Sequence, residues 1–265
     1  MKNKKISKKD LIQEVHNLEL TLHRRPVKRD NATLYKNSRE FFGSWNKMLF
    51  SAGYSVQFLQ KIGSYTFNHN FAYFLGLLIT DGHIAYDKRR ENYKVAIYTS
   101  YPDERDMLVK LIRHIFEYNA RISKKKAGYN VKFNFEVRIN SKKLAEDLID
   151  DYCIPSGKKS LNVRLPNFLF NTQIRCKESF LRGVIDGDGS ITKRGIKIVS
   201  GSTLFLKDLK HFLFTLKIHT GSIIKEHDRN TYSIRINKKE DWIKIKRIYS
   251  FGYFYKRKRE SINKI

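Results

Sequence analysis

Acid is what this sequence has least of for its size. Against 53 Lys and Arg stand only 26 Asp and Glu, a formal net charge of +27 over 265 residues. An excess of that size repels itself in a compact chain, so a polyanion is the expected partner, with released counterions driving the association. Cysteine is nearly absent too. Cys153 and Cys176 lie far apart, without the spacing of a disulfide framework or a zinc site. This fits a reducing, intracellular compartment, with no preference among cytoplasm, nucleoid and organelle. Long apolar runs are missing as well. No stretch approaches the roughly 18 apolar residues of a membrane span. The opening MKNKKISKKDLIQEV holds nothing like a secretory core. A soluble chain with no membrane partner is the expectation. What is present is 41% apolar residues, 13% of all residues being aromatic, enough to build a core and to exclude global disorder.

Residues 1–9 are mostly Lys, Asn and Ser and read as an unstructured tail. From Lys9, Leu11, Ile12, Val15, Leu18 and Leu22 recur at helical spacing. Arg25-Pro26 ends that run, because the residue before a proline is pushed out of the helical region. A second helical stretch carries Tyr35, Phe41, Phe42, Trp45, Met48 and Leu49 and ends at Gly53. Residues 55–69 read as a linker with one short helix. Residues 1–60 therefore read as a small all-helical module.

Beyond it the chain repeats itself. Phe74 to Ile84 reads FLGLLITDGHI and Leu181 to Ile191 reads LRGVIDGDGSI. Both are apolar, carry an internal glycine and close on Asp-Gly-x-Ile. A strand-like run follows each: Lys94–Tyr98 and Ile196–Val199. Then come amphipathic helices through Met107–Ile115 and Leu206–Leu216, and alternating strands over 133–140 and 232–237. Helices around 142–151 and 239–249 come next, and basic knots at 157–159 and 256–258 close each copy. The order implies an α+β protein of two pseudo-twofold-related αββαββα-type halves, 70–160 and 161–265, with antiparallel strands.

A glycine inside a helix costs roughly 1 kcal/mol relative to alanine. Close approach of a second backbone is the usual compensation. Gly76, Gly183 and Gly187 therefore point to two motif helices packed on each other, with Gly76 and Thr80, like Gly183 and Gly187, spaced four apart. Asp81 and Asp188 then end the paired helices. A carboxylate opposes the helix dipole there by roughly 0.3–1 kcal/mol, and two that meet repel unless a cation lies between. One Asp-Gly after a helix is most often a plain turn. A repeated pair reads as a site, and hard oxygen donors in a basic protein suit Mg²⁺ beside a phosphodiester. Asp186 has no counterpart in the first copy, where Ile79 stands, and is given a secondary place.

The two motifs resemble the paired signature of the LAGLIDADG homing endonucleases. LRGVIDGDG is close; FLGLLITDG is looser, opening on Phe74 and replacing the first aspartate with Ile79. The resemblance covers about 70–260. It implies saddle-shaped sheets that read double-stranded DNA over a long target. It implies Mg²⁺, or Mn²⁺ in its place, held by Asp81 and Asp188 with the carbonyls of Thr80 and Gly187. Lys159 and Lys258, with Lys158 and Lys256 as the alternatives, would lie near the scissile phosphates. Lys132, Asn134 and Arg138 on one strand, and Ser233, Arg235 and Asn237 on the other, would face bases. Either set is also what an ordinary solvated strand face offers. The N-terminal Arg24-Arg25-Pro26, Phe41–Lys47 and Ala52-Gly53-Tyr54 resemble the homing endonuclease-associated repeat. Arg24, Arg25 and Lys28 would then grip phosphates, while Phe41, Phe42 and Trp45 read as core.

The expectation is a monomeric, intron-encoded, site-specific double-strand endonuclease. The alternative is a group I intron maturase, the same basic surface holding intron RNA. An intein-embedded nuclease is disfavoured by the opening Met and the ending Ile262-Asn263-Lys264-Ile265, which lack the nucleophile and terminal Asn of protein splicing.

Overall fold

The computed structural model describes residues 6–54, 62–87, 92–126, 133–157, 161–227 and 230–265. The first five residues of the expected tail, the start of the expected linker, Lys132, and Lys158 and Lys159 of the first basic knot lie outside them. The chain divides into two compact units, Met1–Leu59 and Gln60–Ile265.

The first unit holds α1 (Lys8–Leu22), α2 (Ala32–Phe42) and α3 (Trp45–Ser51). Ser7 and Asp10 start α1 with reciprocal caps, the Asp10 N–H donating to the Ser7 hydroxyl at 3.2 Å and the Ser7 N–H to the Asp10 carboxylate at 2.9 Å. The apolar spacing from 35 to 49 reads as one helix, but the structure breaks it. Gly43 takes a left-handed φ of 75°, and the Ser44 hydroxyl then caps α3 by accepting the Lys47 N–H. The turn folds Trp45, Met48 and Leu49 back onto Leu11, Val15 and Leu34, which together form this unit's own core.

The second unit runs through one order of elements twice. The first pass is α4 (His69–Asp81), β1 (Gly82–Asp87), β2 (Asn92–Thr99), α5 (Pro102–Phe116), β3 (Arg121–Lys126), β4 (Phe133–Ile139) and α6 (Lys142–Asp150). The second is α7 (Ile174–Asp188), β5 (Gly189–Thr192), β6 (Gly195–Ser200), α8 (Thr203–Thr215), β7 (Ile224–Lys225), β8 (Tyr232–Ile236) and α9 (Lys239–Ile248). A further helix, α10 (Lys256–Asn263), follows, and a 3₁₀ turn over Asn167–Asn171 precedes α7. Residues 62–68 form no helix.

Among the described residues, the sheets run β1-β2-β4-β3 and β5-β6-β8-β7, antiparallel throughout. Their registers match: Gly82 pairs Ile97, which pairs Val137; Gly189 pairs Ile198, which pairs Ile234. One face of each sheet is apolar. Ile84, Val95, Ile97, Val137 and Ile139 are buried in the first, Ile196, Ile198, Ile234 and Ile236 in the second. Period-two alternation sends Lys94, Tyr98, Glu136 and Arg138, or Lys197, Ser233 and Arg235, to the opposite face. One continuous core underlies both halves, and α4 and α7 run through its middle.

Candidate active site at the paired motif helices

Two glycines allow α4 and α7 to meet. A Cβ built on Gly76 would lie 2.4 Å from the Phe180 carbonyl oxygen, and one on Gly183 would lie 2.4 Å from that of Tyr73. Neither distance leaves room for a methyl group, so the backbones touch where any other residue would hold them apart. The seam runs on to the helix ends. A Cβ on Gly187 would lie 2.0 Å from the Thr80 hydroxyl and 3.3 Å from Oδ2 of Asp81. Thr80 turns that hydroxyl back to the Gly76 and Leu77 carbonyls, at 3.0 and 3.1 Å. Asp81 and Asp188 are the last residues of their helices, and Gly82 and Gly189 turn the chain into β1 and β5. Thr80, Asp81, Gly187 and Asp188 thus close the same end of one helix pair.

The segment before α10 completes that end. Lys258, 7% exposed, donates to the Gly189 carbonyl, just past Asp188. Burial, and then the Arg257 charge, push its ammonium below the ordinary range, while Asp186, Asp81 and Glu104 pull it back up. Arg257 reaches the first half instead. Its Nε donates to Glu104 of α5 at 2.6 Å, and its guanidinium lies 4.6 Å from the centre of the Tyr101 ring. Tyr255 is 1% exposed, and its hydroxyl has no hydrogen-bond partner among the described residues. Burial first, then the negative charges of Asp81, Glu104 and Asp186, hold that hydroxyl far above its usual pKa, so it remains protonated.

Asp186 is the largest departure from what the sequence conveys. It is fully buried and gathers three donors: Tyr249 Oη at 2.6 Å, Tyr73 Oη at 2.7 Å and the Tyr255 N–H at 2.8 Å. Tyr73 belongs to α4, so one carboxylate ties both motif helices to the approach to α10. Desolvation pushes its pKa up to about 6 against the opposing pull of the same three donors. Arg182, one turn earlier and also fully buried, donates to the Ile248 carbonyl at 2.5 Å and the Tyr253 carbonyl at 2.7 Å. The sequence does contain the signal for this network. Arg182 and Asp186 stand four apart in a stretch, Phe180 to Asp186, whose other residues are apolar or glycine, and charges in that setting need partners.

The polar sheet faces carry the remaining candidates. Glu136 is buried beneath Lys94 (2.7 Å), Ser123 (2.9 Å), Tyr98 (3.1 Å) and Arg138 (3.3 Å). Asn134 accepts from the Ser100 hydroxyl. In the second sheet Glu226 takes Lys197 at 2.7 Å and Ser233 at 2.6 Å. Arg235 lines a cavity of about 180 Å³ with Ser190, Thr192, Arg194, Gly195 and Lys197. Asn237 is exposed just beyond β8. In the first unit, Arg24 is held by Asp30 at 2.8 Å, and Lys28 lies 5.5 Å from the Tyr35 ring centre. The Arg24 guanidinium, with the Val27 N–H, draws the Asp30 pKa down to about 2.

Two repeated αββαββα-type halves, joined along paired helices that each end in an aspartate, are arranged as in solved homing endonucleases. Two family models match the sequence itself: residues 175–248 a LAGLIDADG-like domain, residues 6–55 the homing endonuclease-associated repeat. The first of these falls on the half with the closer motif. The fold is that of the homing endonuclease I-WcaI bound to its DNA recognition sequence (TM-score 0.57, 14% identity, 76% of this chain and 88% of that one). I-DmoI in complex with DNA and Mn is also similar (TM-score 0.52, 20% identity, 70% of this chain and 98% of that one). Among curated proteins, a probable translation initiation factor IF-2 of Methanocaldococcus jannaschii is 29% identical over 153 residues, 54% of this chain. A DNA polymerase of Thermococcus litoralis is 24% identical over 200 residues, 71% of this chain. The chain spans 12% or less of the length of these relatives. No helix among the described residues is long and apolar enough to cross a membrane.

Proposed function

We propose that the protein is a site-specific double-strand DNA endonuclease in which each half supplies one aspartate, Asp81 or Asp188, to a shared divalent-metal centre. The observation that carries this is the glycine seam, which brings the two aspartate-bearing helix ends within van der Waals reach. The donor set fits Mg²⁺ or Mn²⁺. Among the described residues no group of three or more His, Cys, Asp or Glu is placed to hold a metal ion by itself. Two carboxylates, with the Thr80 and Gly187 carbonyls beside them, are what a cation needs when it keeps waters and takes its remaining oxygens from a phosphate. Such a metal supplies an activated water and charge stabilisation for the leaving oxygen.

The other residues serve binding and orientation. The polar face with Lys94 and Arg138, and that with Lys197, Arg235 and Arg194, offer donors for base edges and phosphates along a long target. Asn134, Ser233 and Asn237 add short polar groups beside them. Lys258 lends positive charge next to the Asp188 helix end, and Lys159 is its proposed counterpart in the first half. The N-terminal unit, with Arg24, Arg25 and Lys28, adds backbone grip. The protein acts as a monomer, because both aspartates come from one chain. Incubation with a randomised duplex library, with and without Mg²⁺, tests the reading. A recurrent target cut on both strands only with the metal is the expected result; no cleavage of any library member would refute it.

A further inference from the structure

Tyr255 stands out from the other buried tyrosines of the junction. Tyr73 and Tyr249 both give their hydroxyls to Asp186. Tyr255 gives Asp186 only its backbone N–H, and its own hydroxyl has no protein partner among the described residues. Leaving such a group unpaired in an interior costs roughly 1–3 kcal/mol, so a buried orphan needs an explanation. The nearby charges point to one. The negative charges of Asp81, Glu104 and Asp186 all reach this hydroxyl. The segment that carries it is anchored at three points. The N–H is tied to Asp186, Arg257 is anchored on Glu104, and Lys258 is anchored on Gly189. The hydroxyl is thus buried in the segment that is tied to the aspartate end of the seam, with no hydrogen-bond partner among the described residues.

We propose that Tyr255 is a positioning residue of the metal centre, its hydroxyl hydrogen-bonding a water or phosphate oxygen carried by the divalent cation at Asp81. The inference rests on the metal-site reading above. It also makes the two halves unequal. Aligned on Lys159 and Lys258, Ser156 stands where the second half has Tyr255, so only one side of the centre has this support.

The test is Tyr255→Phe, which removes one oxygen and keeps the ring. Two measurements need no turnover: the thermal midpoint of the metal-free protein, and the affinity for Tb³⁺ read by luminescence in the presence of non-cleavable duplex. A third is the rate of each strand's cleavage in supercoiled DNA as Mg²⁺ is varied. The midpoint should stay or rise, because an unpaired hydroxyl is lost. Tb³⁺ affinity should fall roughly tenfold, the size of one good hydrogen bond to a charge-polarised oxygen. One strand should be cut more slowly than the other, so that nicked circles accumulate at low Mg²⁺. Unchanged Tb³⁺ affinity and unchanged strand balance in a folded variant would overturn the proposal. So would a drop in the metal-free midpoint with no change in metal dependence, since that marks a purely structural hydroxyl. Failure of the wild-type protein to bind Tb³⁺, with Asp81→Asn behaving identically, would instead refute the metal site itself.

Discussion

The two motif helices share a backbone and differ in what they bury. At the positions of Arg182 and Asp186 in α7, α4 has Leu75 and Ile79, both buried. The seam glycines and the terminal aspartate are repeated; the internal polar scaffold is not. The difference follows from what each helix packs against. The segment leading into α10 brings α7 an N–H from Tyr255, and the end of α9 brings a hydroxyl from Tyr249. Both need an acceptor, and Asp186 supplies it. In the first half an apolar Ile79 fills the equivalent place. The looser first motif is therefore a change of packing partner and leaves the aspartate end untouched.

This comparison can be broken first at the part both helices share. Gly183→Leu would drive a side chain into the Tyr73 carbonyl, and we expect a loss of more than about 4 kcal/mol in urea unfolding, at the top of the range for single substitutions. Gly221→Ala is the control. Its nearest neighbour, the Arg235 carbonyl oxygen, would lie 3.9 Å away, and stability should hold or rise slightly.

The unshared part has a pH signature. Asp186 has a folded pKa of about 6, above its ordinary 3.8. A carboxyl raised on folding binds its proton more tightly in the native state, so its contribution is full below the unfolded value and is lost as pH rises through the folded one. Between pH 4 and pH 7 the wild type should lose about 2 kcal/mol relative to Asp186→Asn, most of what a shift of about two units supplies. Parallel urea titrations across that range would check it; two curves that track each other would contradict it. The same position in α4 is apolar and gives no such signature.

The sheet faces separate the halves more gently. Arg235→Ala should weaken target binding roughly ten- to a hundredfold and relax preference at one base step, measured by competition among single-base variants. Glu136→Gln should cost about 1–2 kcal/mol in urea unfolding, because Lys94 and Arg138 lose a charged acceptor that is fully buried. Glu226→Gln, whose carboxylate is more than a quarter exposed, should leave the unfolding curve where it is. Equal responses at the two glutamates would remove the distinction.

Much of this was legible in the residues. The repeat, the order of elements and the helix ends at Asp81 and Asp188 follow from local spacing and from glycines that only a close approach explains. What spacing does not carry is which side chains from distant segments converge. The Gly43-Ser44 turn hid inside a run of apolar residues with helical period. Asp186 read as secondary because its three donors, Tyr73, Tyr249 and Tyr255, lie 113, 63 and 69 residues away in sequence. Arg257 and Lys258 read as one basic knot, yet they are anchored separately, one on Glu104 of the first half and one on Gly189 of the second. Strand faces that alternate between apolar and polar residues were easier to read than junctions assembled from four elements.

The central claim is that one aspartate from each half makes one cutting centre. Its most direct measurement is cleavage of a supercoiled plasmid bearing the recovered target by Asp81→Asn and, separately, Asp188→Asn, with binding measured in Ca²⁺. The account expects each variant to bind as the wild type does and to lose double-strand cleavage by roughly a thousandfold or more. Full double-strand cleavage by either variant would contradict it.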